Sequence, residues 1–313
     1  MLDPQAQALL DLMLAKGVPP THTLSPQDAR RFYLERRSVT QPAPQALAEV
    51  RDLTASGPDC PPGGIPLRLY RPEGVASPAP TLVYYHGGGW TMGDLDTHDC
   101  LCRDLAVAGA CVVVSVDYRM GPEHRFPAAV HDVLAATRWL QAQAAELGLD
   151  ATRFAVGGDS AGGNLAAVVA LAWRDGAQAL PLKFQLLIYP ATDMRAVAPS
   201  HTTNGQGYML TADSIAYFRG HYVNPEQYSD WRVSPLLHGD LSRLPPSLVI
   251  TAGFDPLRDE GRQYADALSA AGSSAQYVCF ERQIHGFITM GRVLDEANIA
   301  VGLCGVALRR ALA

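Results

Sequence analysis

The chain has 313 residues, 48% of them hydrophobic, and a formal net charge of −6. That length can bury a large core, and the mild acidity leaves no basic footprint for a nucleic-acid partner. The longest apolar run, LAVAGACVVVSV at residues 105–116, falls short of the roughly 20 residues a spanning helix needs, so no stable membrane anchor is expected.

The N-terminal stretch MLDPQAQALLDLMLAKG carries Asp3 and Asp11 and no basic start, a poor secretory signal. Leu9, Leu10, Met13 and Leu14 instead fit one face of an amphipathic helix. Residues 1–55 read as helical and then Pro-rich, an N-terminal helical cap segment broken by QPAPQ before PDCPPGG follows. Strand-like runs then begin at residues 67, 81, 111, 153, 183, 247 and 275, each short and bounded by Gly, Pro or Asp. Helix-like stretches fall at 127–147, 161–175, 259–272 and 292–311. In the first of these, Val130, Val133, Leu134, Thr137 and Leu140 keep the helical period. This alternation, with near-continuous apolar strands, predicts an α/β fold: a mostly parallel sheet flanked by helices on both faces. Residues 56–190 and 236–313 form the expected core. Residues 191–235 read as loop plus helix between two core strands, a cap insertion.

The six cysteines (Cys60, Cys100, Cys102, Cys111, Cys279, Cys304) contain no CxxC pair and predict no disulfide framework. Cys111, Cys279 and Cys304 read as small buried residues, and a reduced, cytoplasmic setting is expected.

The chemistry concentrates in three places. Gly158-Asp159-Ser160-Ala161-Gly162 fits G-x-S-x-G between a strand and a helix, the context the motif requires. Ser160 on so sharp a turn needs small neighbours two positions away, and its hydroxyl then stands clear of the sheet. The alternative, a small-residue turn with an idle serine, is disfavoured by that context. A nucleophilic serine needs a base, and the base an orienting acid. Asp255 and His285 follow later strands in the order Ser, Asp, His, which places all three on one sheet edge. Asp259 is a rival acid, read as a helix-capping residue. His201, His221 and His238 are rival bases that fall in or near the cap, whereas His86 and His98 belong to the glycine loop.

That loop is the third place. In YYHGGGW, residues 84–90, glycines let backbone N–H groups come close to a ligand. Gly88 and Gly89, with Ala161, could stabilise the oxyanion of an acyl-transfer reaction. The phosphate-loop and dinucleotide glycine patterns are absent here. Asp94, Asp96, His98 and Asp99 cluster nearby, but their spacing matches no metal signature, so neither metal nor cofactor is expected.

YYHGGGW, GDLDTHD, DYRMGPEHRFPAAVHD, GGDSAGGNLAA, IYP, DPLRDEG and IHGF carry a match that runs from about residue 67 to 290. In this set the chain resembles the hormone-sensitive lipase family of α/β-hydrolases, in its bacterial family IV carboxylesterase branch. The resemblance implies an α/β-hydrolase fold with a helical cap. It implies Ser160 as nucleophile, His285 as general base and acid, Asp255 as orienter, and Gly88, Gly89 and Ala161 as oxyanion donors. Short- to medium-chain esters are the implied substrates, cleaved without a cofactor. Met120-Gly121 stands where the family more often has Leu-Ala, and Gln283 where Met is common. Asp117, Arg119 and Glu123 are expected to organise the loop beneath the site, and Trp90 and Tyr189 to line the acyl pocket. An amidase or arylformamidase could use the same triad. A non-catalytic small-ligand receptor on this scaffold would be expected to have lost a triad member. The final stretch EANIAVGLCGVALRRALA suits either the core or a homodimer contact.

Overall fold

The computed structural model describes residues 1–176 and 181–313. Helix α1 (Pro4–Ala15) starts on Asp3, whose carboxylate accepts the N–H of Gln5 at 2.8 Å. Helix α2 (Pro26–Thr40) starts on Ser25 in the same manner, with a proline in its first turn. There follow β1 (Glu49–Ala55), β2 (Ile65–Arg71), β3 (Ala79–Tyr85), α3 (Asp99–Gly109), β4 (Val112–Val116) and α4 (Ala128–Ala142). Next come β5 (Leu149–Asp159), α5 (Ala161–Asp175), β6 (Phe184–Ile188), α6 (Ser200–Thr203) and α7 (Ala212–Tyr222). The chain closes with β7 (Ser247–Phe254), α8 (Arg258–Ala270), β8 (Ala275–Ile284) and α9 (Asp295–Ala311).

Among the described residues, eight strands form one sheet in the order β1-β2-β4-β3-β5-β6-β7-β8. The β1–β2 and β2–β4 pairs are antiparallel and every later pair is parallel. Alternation along β3 shows why the central strands are apolar throughout. Leu82 and Tyr84 point into the layer under α3 and α9, with Leu105, Cys304 and Leu308. Val83 and Tyr85 point into the layer under α4 and α5, with Val130, Val133 and Leu165. Both faces are covered, so no polar face is left to mark a strand.

Two elements differ from the sequence expectation. β1 lies inside the stretch read as helical and Pro-rich. It is an edge strand whose side chains are mostly exposed, so EVRDLTA offers no apolar run. α3 was missed because its second half lies in the apolar stretch 105–116, which the structure divides at Ala110, a left-handed residue with φ 47°. Cys279 is only partly buried, whereas Cys111 and Cys304 are fully buried, and all six cysteines are free. Among the described residues no helix is long and apolar enough to cross a membrane.

The N-terminal helices and the segment between β6 and β7 meet above the carboxyl ends of the parallel strands. Ala29 of α2 and Phe218 of α7 pack with Met92, Leu210 and Leu257.

Candidate active site

Three strands end one residue before a chemically active side chain. β5 ends at Asp159, β7 at Phe254 and β8 at Ile284, and the next residues are Ser160, Asp255 and His285. Because these strands are parallel, the three side chains emerge on one edge.

Ser160 sits at φ 56° and ψ −117° between β5 and α5. Such a backbone costs a non-glycine residue about 1–3 kcal/mol and persists only when its surroundings impose it. Here they do. The N–H of Ser160 donates to Ile188 O at 2.8 Å, and a Cβ on Gly158 or Gly162 would run into the Tyr85 carbonyl oxygen. The elbow is therefore wedged against the end of β3. From it, Ser160 Oγ lies 2.9 Å from His285 Nε2, and His285 Nδ1 lies 2.7 Å from Asp255 Oδ2. Asp255 is fully buried, and its other oxygen accepts the N–H of Leu257 at 2.8 Å. Asp255 thus holds Nδ1, and Nε2 is the ring nitrogen left facing the serine hydroxyl.

The rival groups are engaged elsewhere. Asp259 accepts from the N–H of Ser200 at 2.9 Å and from Arg258 Nε at 2.8 Å. His201 pairs with Glu260, His221 packs edge-on against Tyr217, and His238 binds the Asp240 carbonyl. Asp96 pairs with Arg68 and Asp99 with Arg103.

The glycine loop stands beside Ser160. Gly88 and Gly89 have φ 119° and 61°. A side chain on Gly88 would strike the Met92 carbonyl, and one on Gly89 the ring of Phe218. Among the described residues the N–H groups of Gly88, Gly89 and Ala161 donate to no protein acceptor. They are free for a ligand at the serine.

Asp159 fastens this loop to the elbow, a role the sequence reading did not assign. Its Oδ1 accepts the Gly87 N–H at 2.9 Å and the Tyr84 hydroxyl at 2.7 Å, and lies 3.2 Å from His98 Nε2. Burial alone would raise this carboxyl, but His98, Tyr84 and His86 outweigh it and hold the group below its ordinary value. Burial, with His98 beside it, pushes the His86 imidazole down to about 4, so that ring is neutral where it stacks on Tyr118 at 4.4 Å.

Arg30 of α2 ties the surrounding loops. It donates to Thr91 O at 2.7 Å and Gly121 O at 2.8 Å, and pairs with Glu123 at 2.6 Å. Arg119 grips Asp132 at 2.7 Å, while Asp117, raised by burial to about 6, lies 3.9 Å from His86 Nε2. The glycine at 121 has a local cause: a Cβ there would meet the His221 carbonyl at the end of α7.

A cavity of about 530 Å³ opens over Ser160 and His285. Leu10 and Met13 of α1 and Leu210, Ile215 and Phe218 of the inserted segment line it. Trp90 borders it too, stacked on Tyr222 at 4.6 Å. Tyr189 does not line it. It is fully buried and supports the His285 ring from behind at 4.6 Å, because it leaves β6 toward the α9 layer beside Phe287.

Fold and site thus define an α/β-hydrolase with a serine on the tight turn between β5 and α5, next to a histidine–aspartate pair. The family model for the alpha/beta hydrolase fold matches residues 82–289, and the chain belongs to that family. It is 44% identical over 296 residues to the carboxylic ester hydrolase LipN of Mycobacterium tuberculosis, covering 92% of this chain and 77% of that one. It is 37% identical to ethyl acetate hydrolase of Pseudomonas putida, over 99% of both chains. The solved structure of ester-hydrolase EH1AB1 from the metagenome of Lake Arreo superposes with a TM-score of 0.94 at 43% identity, over 99% of both chains. More narrowly, then, the chain is a carboxylic ester hydrolase of the bacterial esterase family related to hormone-sensitive lipase.

Proposed function

We propose that this enzyme cleaves short- to medium-chain carboxylic esters through an acyl-enzyme on Ser160. The observation that carries the reading is the unbroken chain Ser160 Oγ–His285 Nε2–Asp255 at 2.9 and 2.7 Å on the floor of a largely apolar cavity. Ser160 Oγ attacks the ester carbonyl carbon as its proton passes to His285 Nε2. Asp255 stabilises the imidazolium and fixes its orientation. The N–H groups of Gly88, Gly89 and Ala161 receive the oxyanion, already aimed before charge develops. The intermediate collapses, the C–O bond to the alcohol breaks, and His285 returns the proton to the departing oxygen. Water then attacks the acyl-enzyme with the same histidine as base, releasing the acid and restoring Ser160. A cavity of about 530 Å³ supports acyl chains of modest length, and no group beyond the chain's own residues is needed.

Hydrolysis of p-nitrophenyl esters of increasing acyl length, with Ser160→Ala alongside, tests the reading. The native protein is expected to favour the short members. The variant is expected to lose on the order of a millionfold in turnover. Equal activity of the two proteins would remove Ser160 from the mechanism.

A further inference from the structure

A second histidine–carboxylate pair borders the same cavity. His201, on α6, holds Nε2 2.6 Å from Glu260 Oε2 on the first turn of α8. The two side chains are only 9% and 1% exposed. The other Glu260 oxygen accepts the N–H of Thr192 at 2.7 Å and of Asp193 at 3.2 Å. Burial pushes the Glu260 carboxyl above its ordinary value, opposed by His201 and by these two N–H groups. With Oε1 taken up by two backbone N–H groups, Oε2 is the oxygen left for His201, and Nδ1 is the ring nitrogen not committed to the carboxylate.

That nitrogen has no protein partner among the described residues, and His201 is one of the residues lining the cavity that also holds Ser160 and His285. The triad makes no use of it. A half-enclosed polar atom of this kind discriminates among ligands. A plain alkyl chain leaves it unsatisfied, while a hydroxyl, which can donate or accept, completes it.

From this geometry we propose that His201, held in orientation by Glu260, is a hydroxyl-recognition subsite, and that preferred substrates are esters carrying a hydroxyl on the acyl or the alcohol part. The proposal rests on the cavity being the ester site. It adds a polar requirement that the apolar lining alone would not impose.

Two near-isosteric pairs test it: p-nitrophenyl butyrate against p-nitrophenyl 3-hydroxypropanoate, and propyl acetate against 2-hydroxyethyl acetate. Each kcat/KM is divided by the ester's alkaline hydrolysis rate, which removes intrinsic reactivity. In one pair the native enzyme is expected to favour the hydroxyl member about three- to tenfold, and the responding pair tells which side of the ester the subsite reads. His201→Phe is expected to bring that ratio to one. His201→Gln, which keeps an acceptor, should retain part of it. The ratio does not depend on how much protein is folded, so loss of stability cannot imitate the effect. A native ratio of one in both pairs, or a preference unchanged in His201→Phe, overturns the subsite while leaving the esterase reading intact. Failure to cleave any of the four esters overturns both.

Discussion

Removing the Asp159 carboxylate should damage turnover more than substrate binding. In Asp159→Ala the Gly87 N–H loses its acceptor at 2.9 Å and the fully buried Tyr84 hydroxyl loses its own at 2.7 Å. Each orphaned buried group costs about 1–3 kcal/mol, so the two together cost roughly 2–6 kcal/mol. For a chain of 313 residues that lowers Tm by roughly 3–9 °C. Catalysis suffers separately. Gly88 and Gly89 follow the freed N–H directly, and loss of one aligned oxyanion donor typically costs about 10²–10³ in kcat. Asp159→Asn keeps an oxygen for Gly87 and should stay within about tenfold of native turnover. The assay is kcat per competent site, counted by a p-nitrophenol burst well below the lowered Tm, with KM determined in parallel. The expected pattern is a fall in kcat with KM nearly constant, largely rescued in the Asn variant. If Asp159→Ala melts early but turns over at the native rate per site, the residue supports the fold and does not aim the loop.

Asp255→Asn should lower kcat by about 10⁴ with Tm little changed, because an amide in that place favours the wrong tautomer of His285. Gly89→Ala should reduce kcat at least tenfold, since the new methyl meets the Phe218 ring at a φ of 61°; a Gly89→Ala/Phe218→Ala double variant with recovered turnover would identify the clash as the cause. His86 predicts acid sensitivity: its folded value of about 4 lies below the ordinary value of 6.5, so the unfolded chain binds that proton first as pH falls. Stability is therefore present above pH 6.5 and lost progressively toward pH 4, by roughly 3 kcal/mol in all. Chemical denaturation across this range should give a shallower slope for His86→Phe, and identical slopes would contradict the assignment.

The parts of the molecule that announce themselves in sequence are those whose physics is local. Ser160 needs small residues on both sides of one turn, so GDSAG betrays it. Asp255 and His285 each follow a strand by one residue, so chain order alone places them on the same edge. Apolar runs mark β3 to β7 because both faces of the sheet are covered. β1 escapes because one exposed edge strand has no such need, and α3 because its apolar face runs into β4 without a breaker. Tyr189 shows the limit for side chains: its place after β6 suggests the pocket, yet the direction it takes is set by Phe287 and α9, about a hundred residues later. Asp159 sits within the motif itself, but its partners Gly87, Tyr84 and His98 lie in other segments, and no spacing rule names them.

The root of the inserted segment is the clearest case of such non-local physics, and it links substrate room to catalytic geometry. Asn204 Nδ2 donates to the carbonyls of Gly253 and Asp255, both at 3.1 Å. Ser200 Oγ donates to Pro256 O at 2.6 Å, and Asp259 N donates back to that hydroxyl at 3.1 Å. Glu260 holds Thr192, Asp193 and His201. Residues 192–204 are thus stitched to the turn that carries Asp255, while Leu210, Ile215 and Phe218 just beyond them form cavity wall. Phe218 in turn lies against Gly89 of the glycine loop. A change in the insertion that enlarges the cavity therefore loads two catalytic supports together, the acid turn through Asn204 and the glycine loop through Phe218. Substitutions in the apolar wall should for this reason alter kcat as well as chain-length preference, and those at Phe218, which lies against Gly89, more than those at Leu10 or Met13, which border the cavity from α1.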